Sequence, residues 1–199
     1  EAAVNPGATE ICDNGVDDDC DGDAGDCDIE GDIALLTSST GRWLGVTAGD
    51  AAGTSVASLG DVMGSATIGI GAPGVDAAGT DRGATYLVTG PISGDVSLST
   101  AIEISGRGDG DSVGRAMSVG DLDGDSQDDL LIGVLDEDDG VVYLLLGPVT
   151  ASQDLSANDG TLLGTLSGED AGAALMGTGD LNGDSVGDLL VGAPSSDFG

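Results

Sequence analysis

The sequence predicts an all-β chain of four-stranded antiparallel sheets stacked radially as the blades of a propeller, and three observations carry that expectation. Glycine (37 residues) and aspartate (31, against 6 glutamates) make up about a third of the 199 residues, a composition that favours turns over helices. The hydrophobic residues, 39% of the chain, fall in short, evenly spaced runs such as TIGIGAP, DLLIGV, VVYLLL and DLLVGAP; this excludes a disordered chain and leaves no helical period. The dipeptide Gly-Asp recurs at 60–61, 120–121 and 179–180, at spacings of 60 and 59 residues.

The register extends to both sides of each Gly-Asp. Upstream lie GTSVASLGD, GDSVGRAMSVGD and AGAALMGTGD; downstream lie IGIGAP (68–73), LIGVL (131–135) and LVGAP (190–194), and YLVTGP (86–91) matches YLLLGP (143–148). Each unit holds about four apolar runs separated by Gly, Asp, Ser or Pro, the pattern of a four-stranded meander. One small sheet cannot bury both of its faces, so such units stack on one another.

Taken in order, the expected elements are a half blade at 32–50, a blade at 51–108, a blade at 109–167 and a half blade at 168–199, after a separate segment at 1–31. IALL (33–36) and RWLGV (42–46) stand where third and fourth strands belong, as AIEIS (101–105) does in the first whole blade. In the second whole blade the strands are expected near 112–119, 130–134, 141–146 and 161–166. Two whole blades between complementary halves form an incomplete propeller. The expectation is that further repeats lie beyond Gly199, or that a neighbouring copy pairs head to tail into a ring or filament. An open edge along LLVGAP would otherwise invite aggregation.

Charge removes several functions. The formal charge of -33, from 37 acidic and 4 basic residues, excludes a nucleic-acid binder held by phosphate neutralisation. Lysine and histidine are absent. With them go imidazole bases, Ser/His and Cys/His nucleophile pairs, Schiff-base lysines and Walker-type loops, so the chain is read as no enzyme. No apolar run approaches the roughly 20 residues of a membrane-spanning helix. Aromatic residues are limited to Trp43, Tyr86, Tyr143 and Phe198, which leaves an aliphatic core in need of reinforcement.

The acidic loops supply a candidate for it. DLDGDSQDD offers oxygens at alternate positions: Asp121, Asp123, Asp125, the carbonyl of Gln127, and Asp129. DLNGDSVGD repeats the series with Asp180, Asn182, Asp184, the carbonyl of Val186, and Asp188. Spacing of 1, 3, 5, 7, 9 wraps a tight loop round a hard cation that takes six to eight oxygens, which favours Ca²⁺ over Mg²⁺. Crowded carboxylates repel one another unless a cation lies among them. A closed loop of this kind is structural rather than catalytic. DVMGSATIG (61–69) keeps Asp61 but has Met63, Ser65 and Gly69 at ligand positions, so no calcium is expected there.

GDLDGDSQDDLLIGV (120–134) with GVVYLLLG (140–147), and GDLNGDSVGDLLVGAP (179–194), resemble the FG-GAP repeat, the blade of the integrin α-subunit β-propeller, also found in secreted bacterial proteins. The resemblance covers roughly 32–199. It implies Ca²⁺ in the loop joining the first two strands of a blade, an extracellular or cell-surface setting, and protein or glycan partners on the opposite face. Repeat one departs from the pattern in its acidic part, and small residues replace the phenylalanine of the family's name.

EICDNGVDDDCDGDAGDCD (10–28) resembles a Cys/Asp motif of secreted bacterial proteins that is associated with metal binding. Asp17, Asp19, Asp21 and Asp23 alternate, but the ninth position is Gly25 and the acid follows at Asp26. Cys12 with Cys20, or Cys20 with Cys27, could form a disulfide, which favours secretion. The tripeptide Arg107-Gly108-Asp109 matches an integrin-recognised sequence, yet composition alone yields about 0.1 such triplets per chain of this size, and it falls in a turn between blades.

These features predict a calcium-binding, extracellular structural or adhesive module, able to serve as a subunit of a head-to-tail assembly. The alternative is a carbohydrate-binding module or a non-catalytic part of a secreted hydrolase, with Trp43 the one indole for a sugar. Two loops holding four and three carboxylates account for seven of the 37 acids, so a high-salt environment is a further expectation.

Overall fold

Turn-forming residues every few positions leave room only for short strands joined by tight connections. The computed structural model describes residues 41–76, 79–135, 140–164 and 168–196. These belong to one compact unit, Thr40–Gly199; residues 1–40, with all three cysteines and the expected strand IALL (33–36), lie outside the described residues. No described helix is long and apolar enough to cross a membrane.

The first whole blade runs β2 (Ser55–Ser58), β3 (Thr67–Ala72), β4 (Ala84–Thr89) and β6 (Ile102–Ser105), each antiparallel to its neighbour. The second runs β7 (Ala116–Gly120), β8 (Asp129–Val134), β9 (Val141–Leu145) and β11 (Gly160–Leu163), also antiparallel throughout. Registers correspond: Ile70 lies opposite Tyr86 and Tyr86 opposite Glu103, as Ile132 lies opposite Tyr143 and Tyr143 opposite Thr161. β12 (Ala174–Gly177) and β13 (Leu189–Gly192) form the first hairpin of a third blade.

Strand β7 begins at Ala116, not at the expected 112, for a physical reason. Asp111, buried, accepts hydrogen bonds from the backbone N–H groups of Arg107 and Gly108, both at 2.7 Å, and Ser112 turns into the left-handed region at φ 51°. The same device opens the other blades: a buried acid, Asp50 or Glu169, precedes Ala51 (φ 55°) or Asp170 (φ 54°). Asp50 accepts from the N–H of Thr47 at 2.8 Å.

A second difference lies between the third and fourth strands. There the chain makes an excursion whose short strand pairs in parallel with the outer strand of the preceding blade. β5 (Gly94–Ser97) pairs with β1 (Gly41–Leu44), and β10 (Gln153–Asp154) with β6. Each excursion ends in a 3-10 turn, Leu98–Thr100 or Leu155–Ala157, whose first leucine is buried and whose preceding Ser97 or Asp154 side chain accepts from the N–H two residues on. The blades are thus clasped in sequence order. A purely antiparallel meander does not include this ladder.

Leu59, Val62, Leu87, Ile104, Val113, Leu130, Ile132, Tyr143 and Leu155 form the main core between the two whole blades. Ile70, Ala72, Tyr86, Val88 and Leu98 form a second core on the other face of the first blade, with Trp43 of β1 packed against it. The blades approach closely where glycines meet. A Cβ on Gly71 would run into the carbonyl oxygen of Gly114, and a Cβ on Gly133 into that of Gly172, the same contact one blade further on.

Candidate metal centre

The loop 121–129 joins β7 to β8, and its carboxylates are held by the loop's own amides. Asp121 accepts from the N–H groups of Gly124 at 2.8 Å and Ser126 at 3.0 Å. Asp123 accepts from Asp125 N–H at 3.0 Å, and Asp125 from Gln127 N–H at 2.8 Å. Asp129 accepts from Leu122 N–H at 2.8 Å and, across the sheet, from Gly147 N–H at 3.0 Å. Gly124 (φ 82°) and Ser126 (φ 73°) make the two left-handed bends that curl the chain inwards.

Asp121, Asp123 and Asp129 each bring one oxygen to within 4.8 Å of the others. Oxygens bound to one Ca²⁺ at 2.3–2.6 Å lie at most roughly 5 Å apart, so the spacing and the all-oxygen donor set fit that ion. The Asp125 carboxylate accepts from Gln127 N–H, and the Gln127 side chain, as distinct from the carbonyl expected to be the ligand, reaches Asp61 of the first blade. Burial raises the Asp129 carboxyl above the ordinary aspartate value, and the charges of Asp123 and Asp125 add to the rise. The amides of Gly147 and Leu122 oppose it.

The loop 180–188, between β12 and β13, repeats this network. Asp180 accepts from the N–H groups of Gly183 (2.5 Å), Asp184 (3.1 Å) and Ser185 (2.8 Å). Asn182 accepts from Asp184 N–H at 2.9 Å, and Asp184 from Val186 N–H at 2.9 Å. Asp188 accepts from Leu181 N–H at 2.6 Å and Asn182 N–H at 3.1 Å. The Asn182 amide nitrogen donates to Asp184 and Asp188, at 3.1 and 3.0 Å, tying the three side chains together. The amides of Ser185 and Gly183 hold the Asp180 carboxyl below the ordinary value.

In the first blade the corresponding turn buries Val62, and Asp61 does not face inwards: its Oδ1 accepts from Asp128 N–H, while its own N–H donates to Asp128 Oδ2, both at 3.1 Å. Sequence reasoning passed over Asp128 and the buried acids at 50, 111 and 169. For Asp61 itself a signal was available, since Gly-Asp persists at 60–61 after the other ligand positions have changed. Arg107 and Asp109 serve the turn: Arg107 donates to the Tyr143 hydroxyl at 2.6 Å, and Asp109 accepts from Thr80 N–H at 3.0 Å. The candidate ligands Asp17, Asp19, Asp21, Asp23 and Asp26 lie outside the described residues.

Antiparallel blades with an acidic loop between their first two strands define an all-β repeat protein, and residues 113–145, which hold the loop 121–129, match the family model of the FG-GAP repeat. Residues 1–26 match the model named Cu-binding_MopE, "Putative metal-binding motif". Among curated proteins, the chain is similar to "Integrin alpha-PS2" of Drosophila melanogaster, at 35% identity over 108 residues. The match covers 49% of this chain and 8% of that protein.

Proposed function

We propose that this chain is a calcium-stabilised structural or adhesive module of the extracellular space. The loops 121–129 and 180–188 each take one Ca²⁺, through Asp121, Asp123, Asp125, the Gln127 carbonyl and Asp129, and through Asp180, Asn182, Asp184, the Val186 carbonyl and Asp188. The observation that carries this reading is the recurrence of one hydrogen-bond network in two copies of the acidic loop, with three carboxylates converging in the first. The bound ion supplies positive charge that offsets carboxylate repulsion. The chain's own amides already orient the acidic side chains, so ordering them on binding costs little. The acids at 17, 19, 21, 23 and 26 form a separate metal-binding segment, and the family model that this segment matches carries copper in its name.

The similarity to an integrin α chain supports an extracellular or surface setting and a protein or glycan partner. Among the described residues β13 has a strand on one side only, and its other edge suits a further repeat or a second copy. Calcium titration of the chelator-treated chain tests the central claim. Melting temperature rises with Ca²⁺, following RT ln(1 + [L]/Kd), and the rise persists when Mg²⁺ is in excess. A melting curve indifferent to Ca²⁺ in low-salt buffer would sink the reading.

A further inference from the structure

We infer that Asp61 is a positioning residue for the metal loop of the next blade, an inference that rests on the calcium reading above. Its place in the repeat is that of a first ligand, but its bonds go outwards. Oδ1 accepts from Asp128 N–H and its own N–H donates to Asp128 Oδ2, each at 3.1 Å, while its carbonyl lies 3.5 Å from the side-chain nitrogen of Gln127. Residues 127 and 128 are the stretch that must present the Gln127 carbonyl and set the direction of Asp129. Asp129 is anchored on its other side by Gly147 N–H. Asp61 therefore grips the loop from outside at the point where two of its five expected ligands originate.

A main-chain contact joins the corresponding positions one blade further on. Gly187, at the position of Asp128, donates its N–H to the carbonyl of Asp121 at 2.8 Å, and Asp121 stands in its own repeat where Asp61 stands in the first. A Cβ on Gly187 would come within 2.6 Å of that carbonyl oxygen, so the approach admits only glycine. In both pairs position one meets position eight of the next unit, through the side chain at Asp61 and through the main chain at Asp121. This accounts for an aspartate at 61 in a turn that has lost its other ligand residues: the acid serves its neighbour. Groups that orient a metal's ligands change affinity by about 10–100-fold when removed.

The test compares Asp61→Ala, which removes the side-chain acceptor, with Asp61→Asn, which keeps an acceptor oxygen but no charge, in the full chain. Two readouts are taken: hydrogen exchange of the Asp128 amide without metal, and Ca²⁺ titration followed at the Gly124 and Gly183 amides, which report the two loops separately. Asp61→Ala is expected to speed Asp128 exchange and weaken Ca²⁺ at Gly124 about tenfold, with Gly183 unchanged; Asp61→Asn stays close to the parent in both. If Asn weakens binding as much as Ala, the effect is charge and positioning is refuted. Uptake at Gly124 that Asp61→Ala leaves untouched refutes it too. If the parent chain takes up no Ca²⁺ at either loop, the calcium reading itself falls, and this inference with it.

Discussion

The loops 121–129 and 180–188 share a hydrogen-bond plan and differ in what surrounds them. Asp129 is 1% exposed and gains a partner, Gly147 N–H, from the end of the third strand of its blade. Asp188 is half-buried, and its backbone partners lie within its own loop. The strands that follow show the same contrast: Leu131 is 0% exposed and Leu190, its equivalent, 54%. Local sequence is therefore enough to curl the loop, while the neighbouring strand and blade decide how dry it becomes. At single positions, burial is the chief cause that raises the Asp129 carboxyl, and the amides of Ser185 and Gly183 lower that of Asp180.

The contrast is most sharply tested in the core. Leu131→Ala should cost about 2–5 kcal/mol in urea unfolding, whereas Leu190→Ala should change stability by no more than about 0.5 kcal/mol. Equal losses would mean that the third hairpin is as well packed as the second blade.

Exchanging the third-position residues probes the loops themselves. Asn182→Asp adds a carboxylate and removes an amide that ties Asp184 to Asp188. Ca²⁺ affinity at 180–188 should rise on the order of tenfold, and the metal-free loop should loosen. Asp123→Asn should weaken the other loop to a similar degree. Calorimetric titration of both variants measures it, and affinities unmoved by the exchange would show that the third position makes no contact with the ion.

The smallest effect is in pH dependence, and its sign differs between Asp129 and Asp180. A folded-state value raised above the unfolded one, as for Asp129, makes the metal-free fold lose stability as pH rises from the unfolded value through the folded one. A lowered value, as for Asp180, contributes stability above the unfolded value that is lost as pH falls through the folded one. Carboxyl ¹³C titration should find Asp129 protonating above, and Asp180 below, the ordinary aspartate range. Saturating Ca²⁺ should push the Asp129 transition downwards.

Much of this was legible in advance because strand pattern and loop spacing are local properties. The second blade's strands were expected at 130–134 and 141–146 and lie at Asp129–Val134 and Val141–Leu145. The parallel ladders were not legible: β10 is two residues long, and its pairing with β6 is a contact between blades that no alternation in either segment announces. Asp128 was passed over for the same reason, since its partner Asp61 is 67 residues away. The hold of Gln127 N–H on the Asp125 carboxylate is likewise a matter of three-dimensional placement, because spacing shows which oxygens can reach an ion but not where each points without one.

The glycine contacts between blades bear on how such a chain can change in length. Gly71 meets Gly114, and Gly133 meets Gly172, each across a blade boundary. Copying a whole unit reproduces both halves of the contact, so duplication adds a blade already fitted to its neighbour. Inserting a few residues into the strand beside either glycine shifts it out of line and sets a side chain against a carbonyl. Growth by entire modules is the change that this architecture absorbs most readily.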